Sequence, residues 1–472
     1  MIRTTFYLTM FAAASLFFAA GCEKGGAGSE KPGPDDGNDT IVNIPDYDLP
    51  VKSNFTYALQ GKRVLYDGSF VIPSDSIDSF REDIWNLWKD ANNEYPEEKL
   101  AGLGDLSSPE ANTMYLPQEL EPNSGMPYYY GVKGASPAEG YPLFVYMHGS
   151  GDKNSEWSTG LRLCQEFDDA PSAYFIPQIP NTDYYRWWLK SKQYAWEKLL
   201  RLAFVAGDID PLRVYFFGIS EGGYGSQRLA SFYADYLAAA GPMAGGEPLR
   251  NAPVENCANI AFSLRTGSED TGFYRNELTE STGEAFDLLE AAHPGLYVHK
   301  VELEQGSGHI IDYYPTAPWM SQYGRNPYPK YVAWEDFDMD GAYRKGFYNI
   351  EVLERANDGG ARTFYVMSID GNTVNMTVEN VTYTTTETDP YYGIELDFDR
   401  SYSPTQEGRF IVYLSPEMVD FGSEVILNVN GSEVFRGMLE PDIMHIVNSC
   451  SLFFDPARLF PAAIEVDLSS LQ

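Results

Sequence analysis

Residues 213–229, RVYFFGISEGGYGSQRL, restrict the possible folds of this chain more than any other stretch. Val214, Tyr215, Phe216 and Phe217 are a short run of β-branched and aromatic residues, the composition of a buried strand. Gly218-Ile219-Ser220-Glu221-Gly222 follows at once, and Leu229, Phe232, Tyr233 and Tyr236 then recur at helical spacing. A strand, a sharp turn with serine at its apex and a helix are the context of a G-x-S-x-G nucleophile elbow. A serine lifted out of such a turn sits in strained backbone, and its neighbours must carry no side chain that would strike the strand or the helix. Gly218 and Gly222 meet that need. A glycine-rich turn joining strand to helix for packing alone would share the pentapeptide.

The surrounding pattern predicts an α/β domain. Residues 143–147 and 172–180 read as strands, 194–204 as a helix, and 259–265 and 296–304 as further strands. Strands alternating with helices imply a mostly parallel sheet with helices on both faces. In such sheets reactive side chains gather in loops beyond the carboxyl ends of the strands. Earlier in the chain, Ile77, Phe80, Ile84, Leu87 and Trp88 share one helical face, with strands expected at 61–72 and 126–132. After about residue 329 the pattern turns to short alternating segments separated by Gly/Asn/Asp turns, including Asp370-Gly371-Asn372 and Asn430-Gly431. That predicts an all-β, sandwich-like unit with no helix before a turn at 455–459. The expected organisation is an α/β domain over 51–330, comprising 51–133 and a core at 134–330, and a β domain over 331–472.

A serine hydroxyl becomes a useful nucleophile when a base takes its proton, and histidine suits that task at neutral pH. Five histidines are present. His309 lies in a glycine loop, GSGHIID, directly after a sheet strand, and is the expected base. His299 lies among Tyr297, Val301 and Leu303, where a satisfied core histidine is expected. An imidazole needs an acid to fix its tautomer. Asp270, in the turn after the strand at 259–265, fits that role, with Glu269 as a close rival. A tetrahedral oxyanion needs backbone N–H donors. The expected donors are the Glu221 amide and an amide of His148-Gly149-Ser150-Gly151, from Ser150 or Gly151. Trp187 and Trp188 are candidates to line a substrate pocket, core packing being the other reading. The run 336–341, DFDMDG, begins like a calcium loop but lacks the glutamate at its twelfth position, so it reads as a solvated inter-domain segment. No metal or cofactor motif is found.

HGSG at 148–151, DPLRVYFFGISEGGYG at 210–225, GSED at 267–270 and GSGH at 306–309 together resemble bacterial α/β-hydrolase esterases. That group includes carboxylesterases and polyhydroxybutyrate-depolymerase-like and feruloyl or acetyl-xylan esterase-like enzymes. The resemblance spans about residues 141–315 and implies the α/β-hydrolase fold with Ser220, Asp270 and His309 as a triad, in the chain order of that fold. The tail resembles a β domain that follows such hydrolases in bacterial secreted proteins. The implied activity is ester hydrolysis through an acyl-enzyme, on a small-molecule ester or on an acyl or feruloyl ester of a polysaccharide. A serine peptidase on the same fold and a non-catalytic surface glycan-binding lipoprotein are the other readings.

Residues 1–21 read as an export signal: Arg3 opens it, and the apolar stretch is too short to span a membrane. Ala19-Ala20-Gly21-Cys22 resembles a bacterial lipoprotein signal, in which Cys22 becomes the lipidated terminus. Residues 22–50 begin Gly/Pro/Asp-rich and are expected to be a disordered tether. The expected location is therefore the bacterial envelope, periplasmic or at the cell surface, with membrane contact through lipid alone. A formal charge of −35 opposes nucleic acid and anionic lipid as partners. Cys164, Cys257 and Cys450 leave room for one disulfide, Cys164–Cys257, or for three separate buried thiols.

Overall fold

The structure is a computed structural model that describes residues 46–356 and 361–471. The expected export segment, Cys22 and the tether to residue 45 lie outside the described residues. The first part of the chain runs α1 (Asp48–Leu59), α2 (Ile77–Glu94), β1 (Gly104–Asp105), β2 (Ala111–Tyr115), β3 (Gly125–Lys133), β4 (Tyr141–Met147), α3 (Lys153–Glu166) and β5 (Ser172–Pro177). It continues through α4 (Lys190–Ala206), β6 (Ile209–Ile219), α5 (Glu221–Tyr233), β7 (Ala239–Met243), β8 (Ala261–Gly267), α6 (Arg275–Ala292), β9 (His299–Glu304) and α7 (Thr316–Met320). Residues 48–50 of the expected tether are thus helical.

These strands make one sheet in the order β1-β3-β5-β4-β6-β7-β8-β9, with β2 also paired to β3. From β5 to β9 every neighbouring pair is parallel, while β3 runs antiparallel to β5. Strands β4, β5 and β7 are buried along their whole length, which is why they read as apolar runs. Along β4, Leu143, Val145 and Met147 pack in one core with Trp196, Leu199 and Leu229. Phe144 and Tyr146 point the other way, to a second core with Leu163, Cys164 and Phe217.

The rest of the chain runs β10 (Tyr331–Asp336), β11 (Gly346–Phe347), β12 (Ile350–Glu354), β13 (Arg362–Asp370), β14 (Thr373–Thr388), β15 (Glu395–Pro404), β16 (Arg409–Leu414), β17 (Val425–Val429), β18 (Ser432–Gly437), α8 (Ile443–Phe453) and β19 (Ala462–Asp467). One sheet is ordered β10-β13-β14-β17-β18 with β15 on β14; the other is β11-β12-β16-β19. Aromatic side chains fill the space between them. Trp334 stacks on Phe347 at 5.3 Å and on Tyr365 at 5.1 Å, and Tyr365 meets Phe410 edge-on at 5.6 Å. The expected sandwich is present, and its core is continuous with that of the α/β sheet: Phe232 of α5 meets Phe337 at 5.6 Å. Asp46–Gln472 forms one compact unit.

Several expectations need correction. Residues 61–70 form no strand; Val71 makes only an isolated bridge to Asp442. The apolar face of α2, with Ile84 and Trp88, packs with Phe55 of α1 and with Ile446, Val447 and Cys450 of α8. The helix α8 itself was not expected. Asp442 caps it by accepting from the Met444 amide at 2.8 Å, and its burial outweighs the poor helix propensity of its β-branched and polar residues. The run 336–341 is not a solvated linker. Asp336, Phe337 and Met339 are buried, and Arg355 donates to Asp336 at 2.9 Å. Burial raises the Asp336 carboxyl to about 7 against the pull of Arg355. The three cysteines are free, buried thiols in three different clusters, so no Cys164–Cys257 bridge forms. Among the described residues no helix is long and apolar enough to cross a membrane.

Candidate active site

Strand β6 ends at Ile219 and α5 begins at Glu221, leaving Ser220 alone to turn the chain. It does so at φ 57° and ψ −113°, a conformation that non-glycine residues rarely adopt. Its amide donates to Met243 O at 2.9 Å, which ties the apex to the end of β7. The turn closes against β4: a Cβ on Gly222 would stand 1.9 Å from Met147 O, and one on Gly218 2.4 Å from the same atom. The steric requirement read from the pentapeptide is therefore imposed by the neighbouring strand.

His309 stands over this apex. Its Nε2 is 3.0 Å from Ser220 Oγ, and its Nδ1 is 2.7 Å from Asp270 Oδ2. The loop that carries His309 is pinned at both ends. Ser307 Oγ donates to Glu304 Oε1 at 2.6 Å, the Asp312 amide donates to Glu304 Oε2 at 3.0 Å, and the Glu269 amide donates to Ser307 O at 2.9 Å. Glu269 is exposed and contributes that amide, whereas Asp270 is buried and faces the imidazole.

Arg275, at the start of α6, was missed at the sequence level. Its Nε and Nη2 donate to Asp270 at 2.8 and 2.5 Å. Burial pushes the Asp270 carboxyl up, but the bonds from Arg275 and His309 outweigh it and hold the group below its ordinary value. Arg275 thus holds the Asp270 carboxylate in place beneath His309. Arg275→Met is expected to lower kcat by up to about 10²-fold with little change in KM. Asp270, left buried with less to oppose its protonation, should rise, so the acid limb of the pH–kcat/KM profile moves to higher pH. Arg275→Lys should restore the charge but not the two-pronged geometry, and recover only part of the rate. An unchanged profile in the Met variant would rule out the role.

The HGSG loop lies directly against the serine: a Cβ on Gly149 would be 3.4 Å from Ser220 Cβ. His148 is buried and accepts from the Ile179 amide through Nε2 at 3.1 Å, so its Nδ1 carries the proton and donates to Gly149 O at 2.7 Å. Burial lowers its pKa to about 4 and keeps it neutral. Tyr185 Oη also donates to Gly149 O, and Trp187 Nε1 donates to His148 O at 2.9 Å. The loop's carbonyls are held, while the amides of Ser150 and Gly151 donate to no group among the described residues. The Glu221 amide opens α5 and is free in the same sense, as the first amides of a helix are.

Trp187 does not line a pocket. It is wholly buried against α5, where a Cβ on Gly225 would meet its Cβ at 2.6 Å, and its indole serves the HGSG loop. Trp188 is half-buried, with the Arg228 guanidinium 4.0 Å from its ring centre and that of Arg186 at 5.7 Å. It borders a cavity of about 250 Å³ shared with Arg228, Asn251, Phe337 and Arg362. The Glu221 side chain pairs with Arg186 at 3.1 Å, and burial raises its carboxyl to about 7 against that pairing. Among the described residues no group of three or more His, Cys, Asp or Glu is placed to hold a metal ion.

No protein-family model matches the chain, and no curated protein matches it. Solved structures do. A thermostable esterase matches at 22% identity and TM-score 0.36, over 47% of this chain and 64% of that one, so the chain spans less than two thirds of it. A ferulic acid esterase matches at 14% identity and TM-score 0.35, over 46% of this chain and 97% of that one. An S-formylglutathione hydrolase from Agrobacterium tumefaciens matches at 17% identity and TM-score 0.33, over 48% and 95%. The chain's own strand order, its antiparallel β3 and its elbow between β6 and α5 are those of the α/β-hydrolase fold, with a β sandwich built onto it.

Proposed function

We propose that this chain is a serine hydrolase that cleaves carboxylic esters, exported and held at a membrane by lipid on Cys22, with acyl or feruloyl esters of polysaccharide as its substrate class. The observation that carries this reading is His309 standing between Ser220 at 3.0 Å and Asp270 at 2.7 Å. In the proposed reaction Ser220 Oγ attacks the ester carbonyl while its proton passes to His309 Nε2. Asp270 fixes the ring with Nδ1 protonated and stabilises the cation. The carbonyl oxygen takes the negative charge and is met by the Glu221 amide and by Ser150 or Gly151. Collapse expels the alcohol, which takes the proton from Nε2. Water then attacks the acyl-serine, losing a proton to Nε2, and the carboxylic acid departs as Ser220 regains its hydrogen.

A fluorophosphonate probe tests the reading: a Ser220 adduct in the folded protein supports it, and its absence favours a non-catalytic glycan binder. Turnover of p-nitrophenyl esters with none of peptide anilides separates an esterase from a peptidase. Incorporation of labelled palmitate, lost in Cys22→Ala, tests the anchor.

A further inference from the structure

We propose that the tip of the β14–β15 hairpin and the residues just after the catalytic acid form an aromatic surface that binds the sugar rings of a glycan ester. The proposal rests on the hydrolase reading for its substrate but not for its binding surface.

The hairpin is an arm. Among the described residues, strand β13 pairs with β14 only as far as Val381, and residues 382–388 pair with β15 alone. At about 3.3 Å per residue the arm reaches roughly 20 Å beyond the sheet. It lies against the α/β unit: Glu395 pairs with Arg250 at 3.0 Å, and Arg400 pairs with Glu255 at 2.5 Å. Its tip arrives at the turn three residues after Asp270. There Tyr274 Oη donates to Asp389 Oδ1 at 3.0 Å, and the Phe273 and Tyr392 rings meet at 4.7 Å.

Both sides of this contact are rigid, and both present rings to solvent. Asp389 is buried; its carboxylate accepts from the amides of Tyr391 and Tyr392, and its carbonyl accepts from Gly393 at 2.9 Å. Tyr391 is 83% exposed and Tyr392 54%, with their rings 4.7 Å apart and nearly perpendicular. Opposite them Phe273, 48% exposed, has φ 56° and Tyr274 has φ 60°. Two consecutive bulky residues in the left-handed region are strained, and such strain clusters at ligand sites. The Phe273 ring lies 5.5 Å from the Arg275 guanidinium, the group that holds Asp270. The platform is therefore joined to the catalytic acid through one side chain.

A sugar fits this surface. The axial C–H groups of a pyranose are weakly positive and pack on the negative face of an aromatic ring. Tyrosine gives such contact area with little side-chain entropy to lose. The acidic surface, at a net charge of −35, excludes polyanions and anionic lipid.

The test compares wild type with Tyr391→Ala/Tyr392→Ala on p-nitrophenyl acetate and on acetylated xylo- and cello-oligosaccharides. Wild type should favour an oligosaccharide, and the double variant should lose about tenfold more kcat/KM on it than on the small ester, through KM. Tyr391→Phe/Tyr392→Phe should keep that preference. Equal losses on both substrates, no loss on either, or a wild type with no preference for an oligosaccharide would overturn the platform and leave the hydrolase standing. Affinity electrophoresis of Ser220→Ala in acetylated xylan, with and without the tip substitutions, reads binding without turnover. Retardation that depends on the tip in a protein without esterase activity would keep the platform and remove the hydrolase. Tip-dependent binding to phosphatidylcholine vesicles instead would overturn the sugar assignment.

Discussion

Ser220→Ala is expected to lower kcat for a p-nitrophenyl ester by about 10⁵–10⁶-fold and to leave thermal unfolding unchanged. The large effect follows from geometry. Among the described residues Ser220 Oγ is the one oxygen that His309 Nε2 meets, at 3.0 Å, and alanine offers nothing for the base to deprotonate. The small effect on stability follows from the backbone. The apex already holds a Cβ at φ 57°, and the amide bond to Met243 O is kept, so alanine adds no strain. Ser220→Ala/His309→Ala should be scarcely worse than either single change, because the two side chains act as a unit. Asp270→Asn should cost about 10⁴-fold, since the amide cannot hold the ring with Nδ1 as donor. Steady-state kinetics beside a thermal melt decide the matter. Esterase activity within tenfold of wild type in Ser220→Ala would mean that another group is the nucleophile.

The elbow was readable in the sequence because its cause is local: a buried strand, two obligatory glycines and a helix stand within a few residues. The order of Ser220, Asp270 and His309 was readable because each follows a strand of one parallel sheet, and such loops share one edge. What escaped depends on partners distant in sequence or on side-chain direction. Nothing in the pattern of α6 marks Arg275 as facing back to Asp270. Trp187 looked like a pocket residue, yet its indole serves the HGSG loop, a direction that composition does not carry. The run 336–341 looked solvated because its acids are charged, while its partner Arg355 lies beyond two further strands, β11 and β12. The helix α8 was hidden because its eleven residues are apolar on more than one face, which erases the period that separates helix from strand.

The second large effect is expected far from the serine. Asp235, just after α5, lies in a buried network with Arg325, Arg344, Asp455 and Arg458. Asp235 accepts from Arg344 at 2.9 Å and from Arg458 at 2.5 Å, and Asp455 accepts from Arg325 at 2.7 Å and from Arg458 at 2.8 Å. The Arg458 guanidinium also lies 4.1 Å from the Tyr236 ring centre. These groups tie the α/β sheet to the chain after residue 340, which is why the two parts share one core. Three arginines face two buried aspartates, with half-exposed Glu197 3.8 Å from Arg344 at the edge, so within the buried set removing one acid and removing one base differ in kind. Asp235→Ala leaves three buried cations against Asp455 and is expected to cost about 3–5 kcal/mol. Arg458→Met leaves two of each sign, keeps the aliphatic packing on Tyr236 and should cost clearly less. Burial pushes the Asp455 carboxyl up, but Arg325 and Arg458 more than offset it and hold it below its ordinary value. The folded protein therefore binds fewer protons there than the unfolded chain. Its contribution to stability is complete above the ordinary carboxylate pKa and is lost as pH falls through the depressed one. Urea unfolding of the two variants beside wild type measures the contrast, with fluorophosphonate labelling of Ser220 reporting whether the active site survives. Equal midpoints for Asp235→Ala and wild type would mean that the network contributes nothing to joining the two parts.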